Sequence, residues 1–398
     1  MKKQILSYLS LGQICDVQSG GTPSRHINAY WENGNIPWVK ISDIKGKHLF
    51  GTDEFITRQG LENSSAKIFP KGTILYTIFA TLGETTILNI DAATNQAIAG
   101  INIHDQYKEI ILTDYLYYYL LSIKDIMCKI GRGVAQNNLN LKILRNVQVP
   151  VPSIEEQKKI IDTLSLIEKI MLVKDKQLSR LSNLVKSRFL EMFGNMIHAS
   201  SGFREMTLEE VCRKNGDVRC GPFGTQLSKS DYLDSGVPVW GIPEINSGFQ
   251  IRASDYISKE KANLLSLYSI ISGDIVMSRK GNVGKCEIYP SGYPVGIMHS
   301  DVLRIRVNKD LVNPTFLKYQ FHFSERIKHQ IDIVSHGAIM AGINVTKLKN
   351  INVLLPAINR QNQFSEFIHQ VDKSKMAVQK SLDELETLKK SLMQTYFG

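Results

Sequence analysis

The feature that most constrains this 398-residue chain is that its C-terminal segment occurs twice. Residues 186–194 begin with Lys-Ser and end with Phe-Gly, and residues 390–398 repeat both pairs at the same spacing. A fixed-period repeat decides the architecture of a chain before any local pattern does. Because the two copies lie 204 residues apart (194 and 398), the sequence predicts two domain-sized units rather than a solenoid of short repeats.

The repeat extends over nearly the whole chain, with one change of register. Asn140 and Pro152 recur 204 residues later, whereas Gly83 recurs only 201 residues later, as Gly284. The three-residue difference arises between Leu116 and Gly133, so the sequence predicts an insertion in a loop or at a helix end there.

Each repeat begins with a region of mixed secondary structure. In the first copy, short β-type runs punctuated by Gly, Pro, Asn and Asp predict strands at 36–44, 73–79, 84–90 and 146–151. Apolar residues at helical spacing predict one helix from Asp114 to about Ile130. The helix contains four tyrosines that point in different directions, which favours core packing over a base-stacking platform. They are Tyr115, Tyr117, Tyr118 and Tyr119.

Each repeat ends in a long helix. Ser153 and Glu156 resemble a capping box after Pro152, and apolar residues then recur at alternating steps of four and three from Ile160 to Met192. Residues 359–397 repeat the pattern, and each seam is the nearest partner for the other. We therefore predict an α+β protein in which two long antiparallel coiled-coil helices separate two homologous mixed α/β domains, related by a pseudo-twofold internal repeat. The predicted boundaries are 1–153, 154–198, 199–357 and 358–398.

The composition bounds the partners and the compartment. The net charge of +10 suggests a polyanionic partner such as nucleic acid, although a basic soluble protein without one has the same balance. No apolar leader follows Met1, and no apolar run reaches membrane-spanning length. Five scattered cysteines without metal-ligand spacing indicate reduced thiols. We expect a cytoplasmic protein with no membrane partner.

Two related domains with different loops are what a reader of a two-part DNA site requires. Residues 19–25 and 77–83 differ in polarity from residues 220–226 and 278–284, while the framework matches. Glycine lets a backbone approach phosphate, and Arg, Lys, Asn and Gln donate to base edges. The predicted DNA-contacting residues of the first domain are Gly20, Gly21, Thr22, Ser24, Arg25, Thr77, Arg132, Gln136 and Asn137. Those of the second domain are Gly221, Thr225, Ser278, Arg279, Lys280, Asn282 and Lys285.

Several motifs in this order resemble a known family. They are Gly20-Gly21-Thr22-Pro23, Ile36-Pro37-Trp38, Lys71-Gly72-Thr73-Ile74-Leu75, the segment 146–152 and Glu155-Glu156-Gln157 before the helix. With the order of domain, helix, domain, helix, the chain resembles a specificity subunit of a type I restriction–modification system over nearly its whole length. The second copy departs from the pattern at 221–224, where the Thr-Pro pair is missing.

The resemblance implies a function and a set of partners. It implies a non-catalytic subunit that reads a bipartite target in double-stranded DNA, one part per domain. It implies two modification (methyltransferase) subunits, which bind S-adenosylmethionine and methylate adenine, and restriction or motor subunits that use ATP and Mg. No cofactor is expected in this chain.

Two other readings stay open. An enzyme in its own right is suggested by Asn313-Pro314-Thr315-Phe316, which approaches an amino-methyltransferase motif, but the third position differs and no glycine-rich cofactor loop precedes it. The alternative for this segment is a helix start capped by Asn313. No phosphate-binding loop of the Gly-x-x-x-x-Gly-Lys type occurs. The other reading is a two-headed scaffold that binds only proteins.

Overall fold

The structure, a computed structural model, describes residues 5–132, 138–197, 202–214, 216–281, 283–335 and 342–398. The chain divides into two compact units, Met1–Lys174 with Lys380–Gly398, and Asp175–Gln379. Each unit therefore combines one mixed domain with parts of both long helices. The C-terminal end of each long helix belongs to the unit that contains the other mixed domain.

The first domain contains short strands and helices that lead into a long helix. The strands are β1 (Ile5–Ser10), β2 (Cys15–Ser19), β3 (Ile36–Val39), β4 (His48–Leu49), β5 (Phe55–Ile56), β6 (Ile68–Phe69), β7 (Ile74–Thr77), β8 (Thr85–Leu88), β9 (Ala92–Thr94), β10 (Ile98–Ile103) and β11 (Gln148–Pro152). The helices are α1 (Leu11–Ile14), α2 (Arg58–Glu62), α3 (Thr113–Ser122), α4 (Lys124–Arg132), α5 (Leu141–Arg145) and the long α6 (Ile154–Phe193).

The second domain repeats this order. Its strands are β12 (Arg204–Thr207), β13 (Val218–Cys220), β14 (Val237–Trp240), β15 (Asp255–Ile257), β16 (Ser269–Ile270), β17 (Ile275–Ser278), β18 (Cys286–Ile288), β19 (Gly296–Met298), β20 (Val302–Ile305) and β21 (Asn352–Leu355). Its helices are α7 (Ile242–Asn246), α8 (Lys259–Leu264), α9 (Pro314–Phe323), α10 (Glu325–Ser335), α11 (Val345–Lys349) and the long α12 (Ile358–Phe397).

Sheet topology confirms the internal repeat. Among the described residues, the first domain has a sheet of order β2-β10-β7-β8-β4, and the second domain has β13-β20-β17-β18. The other large sheets are β5-β3-β9-β6 and β15-β14-β19-β16, and in each the second and third strands pair in parallel. The same strand order with the same parallel pair means that the two domains share one fold.

The change of register within the repeat is confirmed, and the structure adds a second one. The end of α3 and the cap residue Asn140 of α5 are equivalent to the end of α9 and the cap residue Asn344 of α11. The second copy has three more residues between these two points. In the central sheets, Ile98 pairs with Thr77 and Val302 with Ser278, so the second domain also carries three extra residues before β20. The first change lengthens α10 by two residues relative to α4 and adds one residue to the segment that follows. The second lies in the connection before β19, where added residues disturb no sheet pairing.

The single helix predicted from Asp114 to Ile130 is wrong in its continuity, because α3 ends at Ser122 and α4 begins at Lys124. The core packing predicted for its four tyrosines is confirmed, since all four are buried. The Tyr115 hydroxyl donates to the Pro150 carbonyl over 2.8 Å, so α3 is fastened to β11. Strand β3 is also shorter than predicted and ends at Val39.

The two long helices pack antiparallel in each unit. In the first unit the Lys389 ammonium lies 2.8 Å from the Glu168 carboxylate, so the end of α12 meets the first half of α6. In the second unit the rings of Phe189 and Phe364 are 5.5 Å apart, so the end of α6 meets the start of α12. Every predicted seam position of both helices is at least partly buried, as knobs-into-holes packing requires.

A buried glutamine near the start of each long helix fastens that helix to its domain. The Gln157 amide accepts from the Leu112 N–H over 2.9 Å and donates to the carbonyls of Ile110 and Pro152. Gln361 makes the equivalent bonds, accepting from Asn313 over 2.9 Å and donating to the carbonyls of Leu311 and Pro356. Both side chains have no exposed surface, so the junction of domain and helix is dry.

Candidate nucleic-acid interface

Four segments of the first domain meet where its strands end. The Gly20 N–H donates to the Ile98 carbonyl over 3.1 Å, and the Ile78 N–H donates to the Ala97 carbonyl over 2.8 Å. The Leu139 N–H then donates to the Ile78 carbonyl over 2.9 Å. We call the set 20–22, 78–79, 95–97 and Leu139 the first loop junction. Its backbone is fixed by hydrogen bonds that do not depend on side chains.

The second domain builds the same junction with the same backbone bonds. The Gly221 N–H donates to the Val302 carbonyl over 3.0 Å, and the Arg279 N–H donates to the Asp301 carbonyl over 2.9 Å. The Ile343 N–H donates to the Arg279 carbonyl over 3.1 Å. The second loop junction is therefore the set 221–223, 279–280, 299–301 and Ile343. Equivalent positions carry different side chains, since Arg279 stands where the first domain has Ile78.

The glycines predicted to approach phosphate serve the junctions instead. A Cβ on Gly20 would lie 2.1 Å from Thr94 Oγ1, and one on Gly21 would lie 2.3 Å from Ser65 Oγ. A Cβ on Gly221 would lie 2.1 Å from the His299 carbonyl oxygen. All three are buried, so glycine is needed here because two segments of the same domain touch, and a phosphate contact at these residues stays a prediction.

Thr77 and Ser278, also predicted as contact residues, have side chains that bond within their own turns. Both side chains are fully buried. The Thr77 hydroxyl donates to the Thr81 carbonyl, and the Ser278 hydroxyl donates to the Lys280 carbonyl over 2.6 Å. These hydroxyls close the turns after β7 and β17, so they shape the loops without reaching a partner.

The exposed chemistry of the first loop junction is an amide that sequence reasoning missed. Gln96 is exposed, and the hydroxyl of Thr22 donates to its Oε1. Thr22 was predicted as a contact residue, but nothing in a lone glutamine between β9 and β10 distinguishes Gln96. The one signal in the sequence was its position between two buried strands, at the edge where the glycine loop also arrives.

Arg25 lies beside the first junction, in a neutralised environment. Its guanidinium sits 3.6 Å from the centroid of the Trp31 ring and 2.6 Å from a Glu54 oxygen. Lys40 approaches the other Glu54 oxygen at 2.5 Å. Burial disfavours the charged form of Glu54, but hydrogen bonds from Lys40 and Arg25 outweigh it and hold the pKa of this carboxyl below its ordinary value. Ser24 is exposed, and its carbonyl accepts from the Trp31 indole.

The second loop junction carries a cation, Arg279, at a different position from the amide of the first junction. The Arg279 guanidinium lies 4.8 Å from the centroid of the Phe223 ring, which is 48% exposed. No carboxylate of the described residues pairs with Arg279. The neighbouring Lys280 ammonium is held 2.8 Å from Asp301, so its charge is compensated within the junction. Thr225 is exposed two residues after Phe223.

The remaining predicted residues fall outside the junctions or outside the description. Lys285 is exposed, but its ammonium donates to the Asn246 carbonyl over 3.3 Å, away from the residues of the second junction. Gln136, Asn137 and Asn282 lie outside the described residues, as does the side chain of Arg132. A DNA contact at these positions stays a prediction.

The described residues were also compared with the requirements of metal binding, methyl transfer, thiol chemistry and membrane insertion. In the ranges that the structure describes, no group of three or more His, Cys, Asp or Glu could hold a metal ion. Asn313 caps α9 by accepting from the Thr315 N–H over 2.9 Å, which confirms the helix start rather than a methyltransferase motif. Burial raises the pKa of the Cys286 thiol, so the thiol beside His322 stays protonated. No described helix is both long and apolar enough to cross a bilayer.

A duplicated domain, with loops fixed at equivalent points and different side chains exposed on them, defines a two-domain recognition protein. The sequence matches the family model of the type I restriction modification DNA specificity domain at residues 7–182 and again at 200–387. The chain belongs to this family, with two copies of the domain in tandem.

Two relatives carry related names, and a solved structure has a similar fold. The chain is 27% identical to the type I restriction enzyme MjaIX specificity subunit of Methanocaldococcus jannaschii, over 62% of this chain and 59% of that protein. It is 23% identical to the MjaVIII specificity subunit of the same organism, over 90% of this chain and 88% of that protein. A chain from a structure concerned with complex assembly and conformational transition of the type I R-M system is similar in fold, with a TM-score of 0.63 and 17% identity, covering 98% of this chain and 97% of the other.

Proposed function

We propose that this protein reads a bipartite target in double-stranded DNA, with one half-site per domain and an unread gap between. The observation that carries the proposal is the pair of loop junctions, which share backbone bonds but present an exposed Gln96 in one domain and a partly buried Arg279 in the other. Backbone contacts position a protein on DNA, and side chains at base edges select the sequence. Two equivalent loop junctions with different polar side chains suit two different half-sites.

The charge of the chain supports a DNA partner over a purely protein partner. The net charge is +10, and positive charge favours binding to a phosphate backbone. Membership of a DNA specificity domain family points the same way. Methyl transfer and ATP-driven work are assigned to partner subunits that carry S-adenosylmethionine, ATP and Mg.

The outer face of α6 supports recruitment of a modification subunit. Leu166 is 58% exposed, Ile170 37% and Val173 62%, and at i, i+4 and i+7 they form one stripe on the helix. The equivalent positions on α12 are Gln370, Ser374 and Ala377. An apolar stripe at helical spacing fits a partner helix with an apolar face of its own.

Methylation mapping tests the proposal. The chain is expressed with a modification subunit in a host without methylation, and modified adenines are located by long-read sequencing. The expected result is one bipartite motif with a fixed gap, and no methylation when either chain is omitted. Methylation by this chain alone would support the enzyme alternative, and unchanged methylation in its absence would remove the specificity role.

A further inference from the structure

We propose that Gln96 and Arg279 are the specificity-determining side chains of the two domains, Gln96 for an adenine and Arg279 for a guanine. The inference rests on the proposed function and deepens it, because it assigns a base chemistry to each half-site. It follows from which polar groups the two junctions expose and from how each is held.

Gln96 has the chemistry that adenine requires. Adenine presents a donor at N6 and an acceptor at N7 in the major groove, and a glutamine amide meets both with Oε1 and Nε2. The Thr22 hydroxyl donates to Oε1, which fixes the rotation of the amide and leaves one lone pair of Oε1 and both Nε2 hydrogens for the base. Thr22 is therefore a positioning residue that lowers the entropy cost of ordering a long side chain.

Arg279 has the chemistry that guanine requires. Guanine presents two acceptors, O6 and N7, which match the two parallel N–H groups of a guanidinium edge. The Phe223 ring, 4.8 Å away, supports the guanidinium from one side and leaves its edges for hydrogen bonds. Ile78, the equivalent residue of the first domain, is only 2% exposed and apolar, so the first domain has no such reader at this position.

The neighbouring cation is an unsuitable reader. Lys280 is held 2.8 Å from Asp301, and a base contact would have to break that ion pair. The same Asp301 accepts the backbone N–H of Arg279 through its carbonyl, so the aspartate holds both basic residues in place while neutralising one. Arg279 is left as the cation of the second junction without a carboxylate partner among the described residues.

The test maps methylation by single-residue variants of the full complex with its modification subunit. Gln96→Ala is expected to lower discrimination at one A·T position of one half-site by roughly 10- to 100-fold and to leave the other half unchanged. Arg279→Ala is expected to do the same at one G·C position of the other half. Gln59→Ala and Lys309→Ala are the controls, because both side chains are exposed and lie outside the two loop junctions, and both variants should leave the motif unchanged.

Two further variants separate base reading from structural damage. Gln96→Glu keeps the size of the side chain but only accepts, so preference at that position should move from adenine towards cytosine, whose N4 donates. Thr22→Val should weaken the base preference at the same position as Gln96→Ala. Thr22→Ser, which keeps the hydroxyl, should retain the wild-type preference.

The outcomes distinguish this inference from the proposed function. If the wild-type complex yields a bipartite motif but Gln96→Ala and Arg279→Ala leave every base preference intact, the assignment of readers is wrong and the proposed function stands. If no adenine preference in either half-site is lost in Gln96→Ala, the assignment of Gln96 to adenine is overturned. A wild-type complex that methylates no bipartite motif overturns the proposed function itself.

Discussion

Replacing Gln157 with Leu should uncouple the first domain from α6, and it offers a quantitative test of the packing. The side chain has no exposed surface and makes three hydrogen bonds, to Leu112, Ile110 and Pro152. Leucine is of similar size but can make none of them. The variant therefore leaves one backbone N–H and two carbonyls without this partner in a dry site.

The magnitude follows from those three groups. A buried backbone group that loses its partner costs about 1–3 kcal/mol, and an added apolar side chain recovers part of that. We expect the free energy of unfolding of the first unit to fall by about 3–5 kcal/mol. The second unit should not change, because Gln361 supplies the equivalent bonds there.

Hydrogen exchange and urea unfolding together make the measurement. The Leu112 amide, which donates to Gln157, should lose protection, while the Asn313 amide, which donates to Gln361, should keep it. Gln177→Leu, at an exposed position of the same helix, is the matched control and should cost under about 0.5 kcal/mol. Equal effects of Gln157→Leu and Gln177→Leu on stability and exchange would refute the reasoning.

Three further predictions concern pH, recruitment and modularity. Burial lowers the pKa of His322 from 6.5 to about 4, so between these pH values the unfolded state binds a proton that the folded state does not. The free energy of unfolding of the second unit should therefore fall by up to about 3 kcal/mol as the pH falls from 6.5 to 4. Denaturation of His322→Phe at several pH values should show a flatter dependence, and an unaltered slope would contradict the prediction. Leu166→Asp should reduce co-purification of the modification subunit without changing the unfolding midpoint, whereas Gln370→Asp at the equivalent position of α12 should not. Exchanging residues 203–357 for the domain of another family member should change only one half of the methylated motif, and a change in both halves would argue against independent domains.

Long-range order was the most predictable part of the fold. The repeat and both long helices followed from periodicity, because a coiled-coil seam must recur over many turns and tolerates few exceptions. Local boundaries were less predictable. Strand β3 ends early because the Lys40 N–H donates to the Asp43 side chain over 2.9 Å and turns the chain. Helix α3 ends at Ser122 although apolar spacing continues, so tertiary packing rather than periodicity sets that boundary.

The divergent loops of the sequence coincide in part with the loop junctions of the structure, since Thr22 and Arg279 belong to them. A DNA contact at either residue stays a prediction. The role of the glycines was not predictable, because the same residue type serves a phosphate contact and a close approach within the domain. The proximity of Gln96 to Thr22 was not predictable, because it depends on where β9 ends relative to the glycine loop, which is a property of the folded sheet.

If the loop junctions read DNA as proposed, a protein of this kind can change its target without losing its fold. In both domains the loops are fixed by backbone bonds, such as Ile78 to Ala97 and Arg279 to Asp301. A backbone hydrogen bond does not depend on the side chain, so the buried Ile78 and the partly buried Arg279 occupy equivalent positions with the same backbone bonds. Sequence divergence should therefore concentrate at these positions, and base preference should change there while the sheets stay the same.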